Sequence, residues 1–289
     1  MKLGYLTHVA GADPRRAYRQ AIELAVAAED LGFDSFWLAQ HHGGVFGGQL
    51  PSPLVLLATI AERTSTIRLG TAVVAASLED PMRLAEDAAV VDVLSGGRLE
   101  LGVGGGADEA ASEAFGRDHA RRHEDCAAVV DELCRLLDGT GLVPAAPGLR
   151  QRLWWATGSS AGVEAAAQRG MGVITGRPAD APGSPVAADL SRYWTRAAGD
   201  PRVAAFRSVG AGEAPIALVD RWRRDPAREW ASELVAQSLP VDAEIGVHLA
   251  TLRSIGAAAG AAPAASAVVD GLLRTVRAPR PVERRYAGR

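Results

Sequence analysis

The chain has 289 residues, 48% of them hydrophobic and 22% charged, with a formal net charge of −3. That length is ample for a full hydrophobic core, and the apolar content sets the chain apart from disordered sequences. The slightly acidic balance supplies no basic footprint for nucleic acid, so the expected partner is a small molecule.

The first residues, Met1 to Leu6, contain no long apolar region and turn polar by Asp13, so no signal peptide is expected. The longest apolar run, residues 54–61, is broken by Thr59 and is too short to span a bilayer. The expectation is a cytoplasmic protein with no membrane partner. Cys126 and Cys134 are the two cysteines. On a helix they stand roughly 12 Å apart along the axis, too far to bridge, and read as thiols of a reducing compartment.

Residues 3–8 read as a first strand. Asp13-Pro14 places a capping carboxylate before a proline at the first helical position. Ala21, Leu24, Ala25 and Ala28 then form a helical stripe, and Gly32 ends it in a left-handed cap. Residues 33–39 form strand two, with Gln40, His41 and His42 at its C-terminal end. Ser52-Pro53 and Asp80-Pro81 repeat the cap-then-proline signal ahead of helices at 54–63 and 82–94. Strand three is expected at 67–74. Strand four, at 98–103, runs into Gly104-Gly105-Gly106. A polar stretch leads to a long amphipathic helix at 122–137, and a Pro/Gly-rich connection at 139–150 follows. Strand five at 153–156 precedes Thr157-Gly158-Ser159-Ser160 and a helix at 161–169. Strands six, seven and eight are expected at 172–175, 203–209 and 233–238, with helices at 186–198, 215–223 and 241–259. A Pro/Gly-rich loop lies at 176–183, and an arginine-rich tail at 277–289 reads as exposed.

Eight strands alternating with helices favour an α/β fold, a (β/α)8 TIM barrel, as one domain over residues 1–276. An open doubly wound sheet would want Gly-x-Gly-x-x-Gly directly after strand one, and residues 4–11 lack it. In a barrel the active face lies at the C-terminal strand ends. There the reading collects His8, Gln40, His41, His42, residues 72–75, the glycines 104–106 and residues 157–160. The glycine triplet would let a planar ligand approach backbone, or is an ordinary turn. Gly158, Ser159 and Ser160 would seat a phosphate at a helix N-terminus, or form a plain serine cap. Arg121 and Arg122 would reach that phosphate, or belong to a solvated face. His41 and His42 are adjacent, so their side chains diverge on extended backbone, and no metal site is expected. Without Gly-x-Ser-x-Gly after a strand, nucleophilic hydrolysis is not expected either.

Three blocks then stand in a distinctive order. Phe36-Trp37-Leu38-Ala39-Gln40-His41-His42 comes first, then Ile67-Arg68-Leu69-Gly70-Thr71-Ala72-Val73. After the Ala85-Glu86-Asp87 helix comes Gly97-Arg98-Leu99-Glu100-Leu101-Gly102-Val103-Gly104. This pattern resembles the bacterial-luciferase-like flavin monooxygenases, densely over residues 3–137 and faintly later. The resemblance implies a barrel that binds reduced FMN, supplied by a separate flavin reductase, and oxidises a small organic substrate with O2 through a flavin C4a-hydroperoxide. It implies His41 as the catalytic histidine, with His42 and Gln40 beside it, and an imidazole titrating near ~6.5 suits proton handling. It implies Ser159 at the phosphate, with Gly158 and Ser160. It also implies a non-proline cis peptide at Ala72-Val73 under the flavin, near Gly104 and Gly105, and a homodimer through helices two and three. Three departures stand out. Gln40 replaces a glutamate of the luciferase branch. Gly105 replaces a phosphate-gripping arginine, which leaves Arg121, Arg122 and the Ser159 loop for that task. The C-terminal half is short, with reduced lid insertions. Two alternatives stay open: an F420-dependent hydride transferase on the same barrel, and a non-catalytic barrel that partners an active homologue.

Overall fold

The computed structural model describes residues 2–176, 185–210 and 212–259; the arginine-rich tail lies outside them. Among the described residues nine strands form one parallel sheet: β1 (Lys2–Thr7), β2 (Ser35–Leu38), β3 (Arg68–Thr71), β4 (Val74–Ala75), β5 (Leu99–Gly104), β6 (Leu153–Ala156), β7 (Gly172–Thr175), β8 (Val203–Gly210) and β9 (Glu233–Leu239). Neighbours run in the order β3-β2-β1-β9-β8-β7-β6-β5-β4, and a β3–β5 pairing closes the ring. β3 and β4 together occupy one barrel position, so this is a closed eight-stranded barrel, the expected TIM fold.

Helices pack around it: α1 (Pro14–Asp30), α2 (Pro53–Ala61), α3 (Pro81–Leu94), α4 (Glu109–Ala114), α5 (Arg122–Asp138), α6 (Ser160–Gln168), α7 (Val186–Arg196), α8 (Pro215–Arg224) and α9 (Ile245–Ala259). The proline signals mark real starts. Asp13 Oδ1 accepts from the Arg15 N–H at 2.9 Å, and Asp80 Oδ1 from those of Met82 and Arg83, each at 3.0 Å. Ser52 makes no such side-chain bond, and there the proline alone opens α2.

Two elements differ from the reading. The strand expected at 67–74 is interrupted after Thr71. The Thr71 hydroxyl donates to the Gly102 carbonyl at 2.7 Å and accepts from the Gly102 N–H at 2.9 Å, so a side chain replaces the ladder there. The Thr71 carbonyl crosses β5 so closely that a β-carbon on Gly102 would stand 2.1 Å from it. The second difference is α4, which begins in the stretch read as merely polar. Asp108 caps it by accepting from the Ala110 N–H at 3.1 Å.

The apolar core has two parts. The larger lies between strands and helices and includes Tyr5, Phe36, Leu57, Leu101 and Val130. The smaller fills the barrel and contains Leu6, Trp37, Trp154, Ile174 and Val235. Trp37 meets Trp154 and Phe206 edge-on, with ring centroids 5.8 and 5.7 Å apart. Beneath the indoles, at the N-terminal end of the barrel, lies a polar floor. Trp154 Nε1 donates to Glu100 at 2.6 Å, Arg68 pairs with Glu100, and the Ser35 hydroxyl accepts from Trp37 Nε1 at 2.6 Å and donates to Glu233. Glu100 is buried against a guanidinium and an indole N–H, whereas Glu233 is met by a hydroxyl.

Candidate active site

Two adjoining cavities open at the C-terminal mouth, of about 360 and 980 Å³, and both are lined by Val73, Gly106 and Ala107. Gln40, His41, His42, Leu78 and Asp108 line the smaller one. Gly104, Gly105, His123, Thr157, Gly158 and Ser159 line the larger. The residues collected from separate strand ends therefore do converge. The Ala72-Val73 peptide is cis, as the resemblance implied. Val73 faces the cavities, while Ala72 packs against the barrel-filling cluster.

His41 stands on the backbone just after β2, where its N–H donates to the Leu50 carbonyl at 2.9 Å. Its ring meets two neighbours. Nε2 is 2.8 Å from His8 Nδ1, with ring centroids 5.1 Å apart and planes at 25°. Along the Cβ–Cγ–Cδ2 edge, a β-carbon on Gly48 would stand 2.3 Å from Cδ2. Burial, then the neighbouring His8 and His42, push the His41 pKa down to about 4, against the opposing pull of Asp108. The expected titration near neutrality therefore does not hold: at pH 7 His41 is a neutral imidazole. Burial also lowers the His8 pKa, with Gln237 opposing. His42 diverges from His41, and its ring meets Phe115 edge-on at 4.9 Å.

Gln40 does not orient His41. Its amide nitrogen donates to the Pro51 carbonyl at 2.9 Å, and its oxygen accepts from the Ala75 N–H at 2.7 Å. It fastens the end of β2 to β4 and to the loop before α2, so its contribution to the site is the position of the loops that carry His41 and Ala75.

At the other end Ser159 caps α6, its Oγ accepting from the Gly162 N–H at 3.1 Å, with the Thr157 hydroxyl 3.3 Å away. Ser160 is turned away, its hydroxyl donating to buried Asp189 on α7 at 2.9 Å. Arg121 and Arg122 are not brought to the cavity either. Arg121 is exposed and pairs with Glu124 and Asp125 at 3.4 and 3.6 Å; Arg122 donates to the His119 carbonyl at 3.0 Å. The turn of α5 decides this, because it is the next residue, His123, that faces the end of β5. A β-carbon on Gly105 would lie 3.1 Å from His123 Nδ1, so His123 stands over the end of β5 and lines the larger cavity. Arg169 also reaches this cavity, held by Asp131 at 2.7 Å and lying over the Trp155 ring at 5.2 Å. Neither was singled out from sequence. An i, i+1 error in helix phase hid His123, and Arg169 looked like an ordinary residue at a helix end.

Cys126 borders the larger cavity, but burial pushes its thiol up to about 12, so it is not a nucleophile. Among the described residues no group of three His, Cys, Asp or Glu side chains could hold a metal ion, and no helix is long and apolar enough to cross a membrane.

A sequence profile described as luciferase-like monooxygenase matches residues 1–276. The chain belongs to that family. Among its relatives, 4-hydroxyprotoasukamycin monooxygenase of Streptomyces nodosus subsp. asukaensis is 37% identical over 132 residues, 46% of this chain and 35% of that protein. The oxygenase component of the flavin-dependent trigonelline monooxygenase of Acinetobacter baylyi is 37% identical over 93 residues, 32% of this chain and 26% of that protein. The matched segments thus span about a third or less of these relatives' length. The fold matches the monooxygenase RslO1 of Streptomyces bottropensis with a TM-score of 0.73 at 21% identity, over 89% of this chain and 98% of that one. It also matches an F420-dependent secondary alcohol dehydrogenase with a TM-score of 0.69 at 13% identity, over 90% and 98%. Of the proteins named, the trigonelline enzyme is described as flavin-dependent and the alcohol dehydrogenase as F420-dependent.

Proposed function

We propose that this chain is the oxygenase component of a flavin-dependent monooxygenase, taking reduced FMN from a separate reductase and using O2 to oxidise a small organic substrate. The observation that carries the reading is the continuous trough from His41 past Val73 to the Ser159 cap, with glycine backbone along one wall. Its size suits a cofactor and a substrate side by side. The residues present fit FMN. Gly104 and Gly105 leave room for a flat ring beside Val73. Thr157, Ser159 and the start of α6 offer hydroxyls and amides to a phosphate, and His123 and Arg169 stand in for the missing arginine. Reduced flavin, when bound, supplies the electrons that activate O2.

The chain's own residues then have these tasks. His41, held neutral, accepts or donates a proton at the reacting atoms. Leu78, Val45 and Ala111 keep the smaller cavity apolar, which restricts water around the reaction. Gln40 keeps the two loops in register. The working form is a homodimer through α2 and α3, whose Val55, Met82, Val90, Val93 and Leu94 are exposed apolar residues on one flank of the barrel.

The test is anaerobic titration of the purified protein with reduced FMN, oxidised FMN and F420, followed by absorbance and fluorescence. Saturable binding of reduced FMN, weaker in Ser159→Ala, is the expected result. Binding of F420 alone, with anaerobic turnover, would replace the monooxygenase with a hydride transferase. Binding of neither would leave a non-catalytic barrel, and sedimentation with a flavin-binding homologue would identify its role.

A further inference from the structure

We infer that His8 is the positioning residue for His41, the two rings forming a hydrogen-bonded couple that holds a single bridging hydrogen and presents His41 to the smaller cavity in one fixed orientation. As a statement about the site's working it rests on the proposed monooxygenase reading, but the couple itself is a property of the cofactor-free protein.

Four observations support it. The contact is direct, with His8 Nδ1 2.8 Å from His41 Nε2, and the rings overlap at 25°. Gly48 packs against the Cβ–Cγ–Cδ2 edge of His41, where a β-carbon would stand 2.3 Å from Cδ2, and this limits how the ring can turn. The chain just after His8 is forced into place: Val9, a β-branched residue, has φ = 50°, in the left-handed region that such residues avoid. That conformation is held by the Gln49 N–H donating to the Val9 carbonyl at 3.0 Å and by the Thr7 hydroxyl accepting from the Val9 N–H at 3.2 Å. Finally, the direct ring contact that His8 makes is with His41, with Gln237 nearby on β9. The Nε2 of His8 is buried without a hydrogen-bond partner, so the fold holds a polar ring here at a cost, and the contact it gains is His41.

Chemistry dictates the rest. Two nitrogens 2.8 Å apart accommodate one hydrogen between them. Either His41 Nε2–H donates to His8, or His8 Nδ1–H donates to His41. The couple therefore accepts at most one further proton, because protonating both rings fully would set two N–H groups against each other. The charged and titratable groups around it are few: His8 from the end of β1, His42 beside it in the chain, and Asp108 from the start of α4. When His41 takes a proton in the reaction, the bridge spreads the charge over both rings without either moving.

The experiment is ¹⁵N NMR of the imidazoles in the cofactor-free protein across pH, for wild type, His8→Ala and His8→Asn. An asparagine amide reaches the place of Nδ1 but carries no titrating ring. In wild type the expected result is one His41 tautomer and uptake of one proton by the pair. In His8→Ala the His41 tautomers mix, and the proton is taken up by one ring instead of being shared by a pair. His8→Asn restores the single tautomer without a second titrating ring. With flavin turnover established, His8→Ala lowers kcat on the order of tenfold with little change in KM, and His8→Asn recovers most of it. His41 signals that are identical in wild type and His8→Ala would overturn the inference, whatever flavin does. If His8→Ala does not fold, independent uptake of two protons by the wild-type pair overturns it equally. Failure of flavin binding with the tautomer result intact would reject the proposed function alone.

Discussion

Gly48 packs against the side chain of His41, so closely that a β-carbon would stand 2.3 Å from Cδ2 and 2.7 Å from the His41 Cβ. The loop that carries Gly48 is stitched to the strand end by an antiparallel bridge to Ala10 and by the Gln49 N–H. It therefore cannot retreat cheaply. Gly48→Ala is expected to fold with a melting temperature within a few degrees of wild type, while the His41 ring is displaced. The measurement is activity against flavin binding: kcat should fall on the order of a hundredfold while the affinity for reduced FMN stays within about threefold. Equal loss of both would mean that the whole loop has collapsed, and unchanged kcat would mean that ring position is not limiting.

Gln40 offers a sharper contrast, because both halves of its amide are used on backbone. Gln40→Glu restores the residue of the luciferase branch but cannot donate to the Pro51 carbonyl. A carboxylate would face that oxygen instead, and a bond of this kind at an exposed position contributes about 0.5–1.5 kcal/mol. Thermal or urea unfolding should report a destabilisation of that size at pH 7. An equally stable Gln40→Glu protein would show that the clamp is dispensable.

Much of the architecture was legible because local chemistry and tertiary need agree. The cap-then-proline pairs at Asp13 and Asp80 start helices, and strands β5 to β9 fall within a residue of the expected ends. The site was legible only where it sits on strand ends, since a strand end has one place to go in a barrel. Helix-borne groups were not: whether Arg121, Arg122 or His123 faces the cavity depends on about 100° of rotation per residue, set by packing. Nor does a sequence reveal that Ser160 turns to Asp189, twenty-nine residues on. The most distinctive block, Gly97 to Gly104, is mainly scaffold. Arg98 lies at the opposite end of the barrel from the site, where its guanidinium donates to the carbonyls of Ala61, Thr64, Ile67 and Ser95 and to the Thr64 hydroxyl.

That arrangement makes Arg98→Lys a severe change. A planar fork satisfies acceptors from the end of α2, the following turn and the end of α3 at 2.7–3.0 Å. An ammonium has three donors in a smaller reach. At least two of the five buried acceptors lose their partner, which predicts a loss of about 2–4 kcal/mol. Calorimetric unfolding measures it. Flavin affinity of the protein that remains folded should be unchanged, since Arg98 touches neither cavity.

The polar floor of the barrel carries a pH signature of its own. Burial pushes the Glu233 carboxyl up to about 7; the Ser35 hydroxyl opposes this and the nearby Glu100 charge adds to it. A raised carboxyl pKa means that the folded state binds the proton more tightly than the unfolded chain does. The stability it contributes is complete below the unfolded value of about 4.5 and is lost as pH rises toward 7. The difference corresponds to roughly 3 kcal/mol. Glu233→Gln keeps an oxygen for the Ser35 hydroxyl and removes the titration. Its stability relative to wild type should therefore rise with pH, from near equality at about pH 4.5 to an advantage approaching that size at about pH 8. Urea unfolding of both proteins at a series of pH values gives the difference directly, and a flat difference across that range would show that Glu233 is already ionised in the fold.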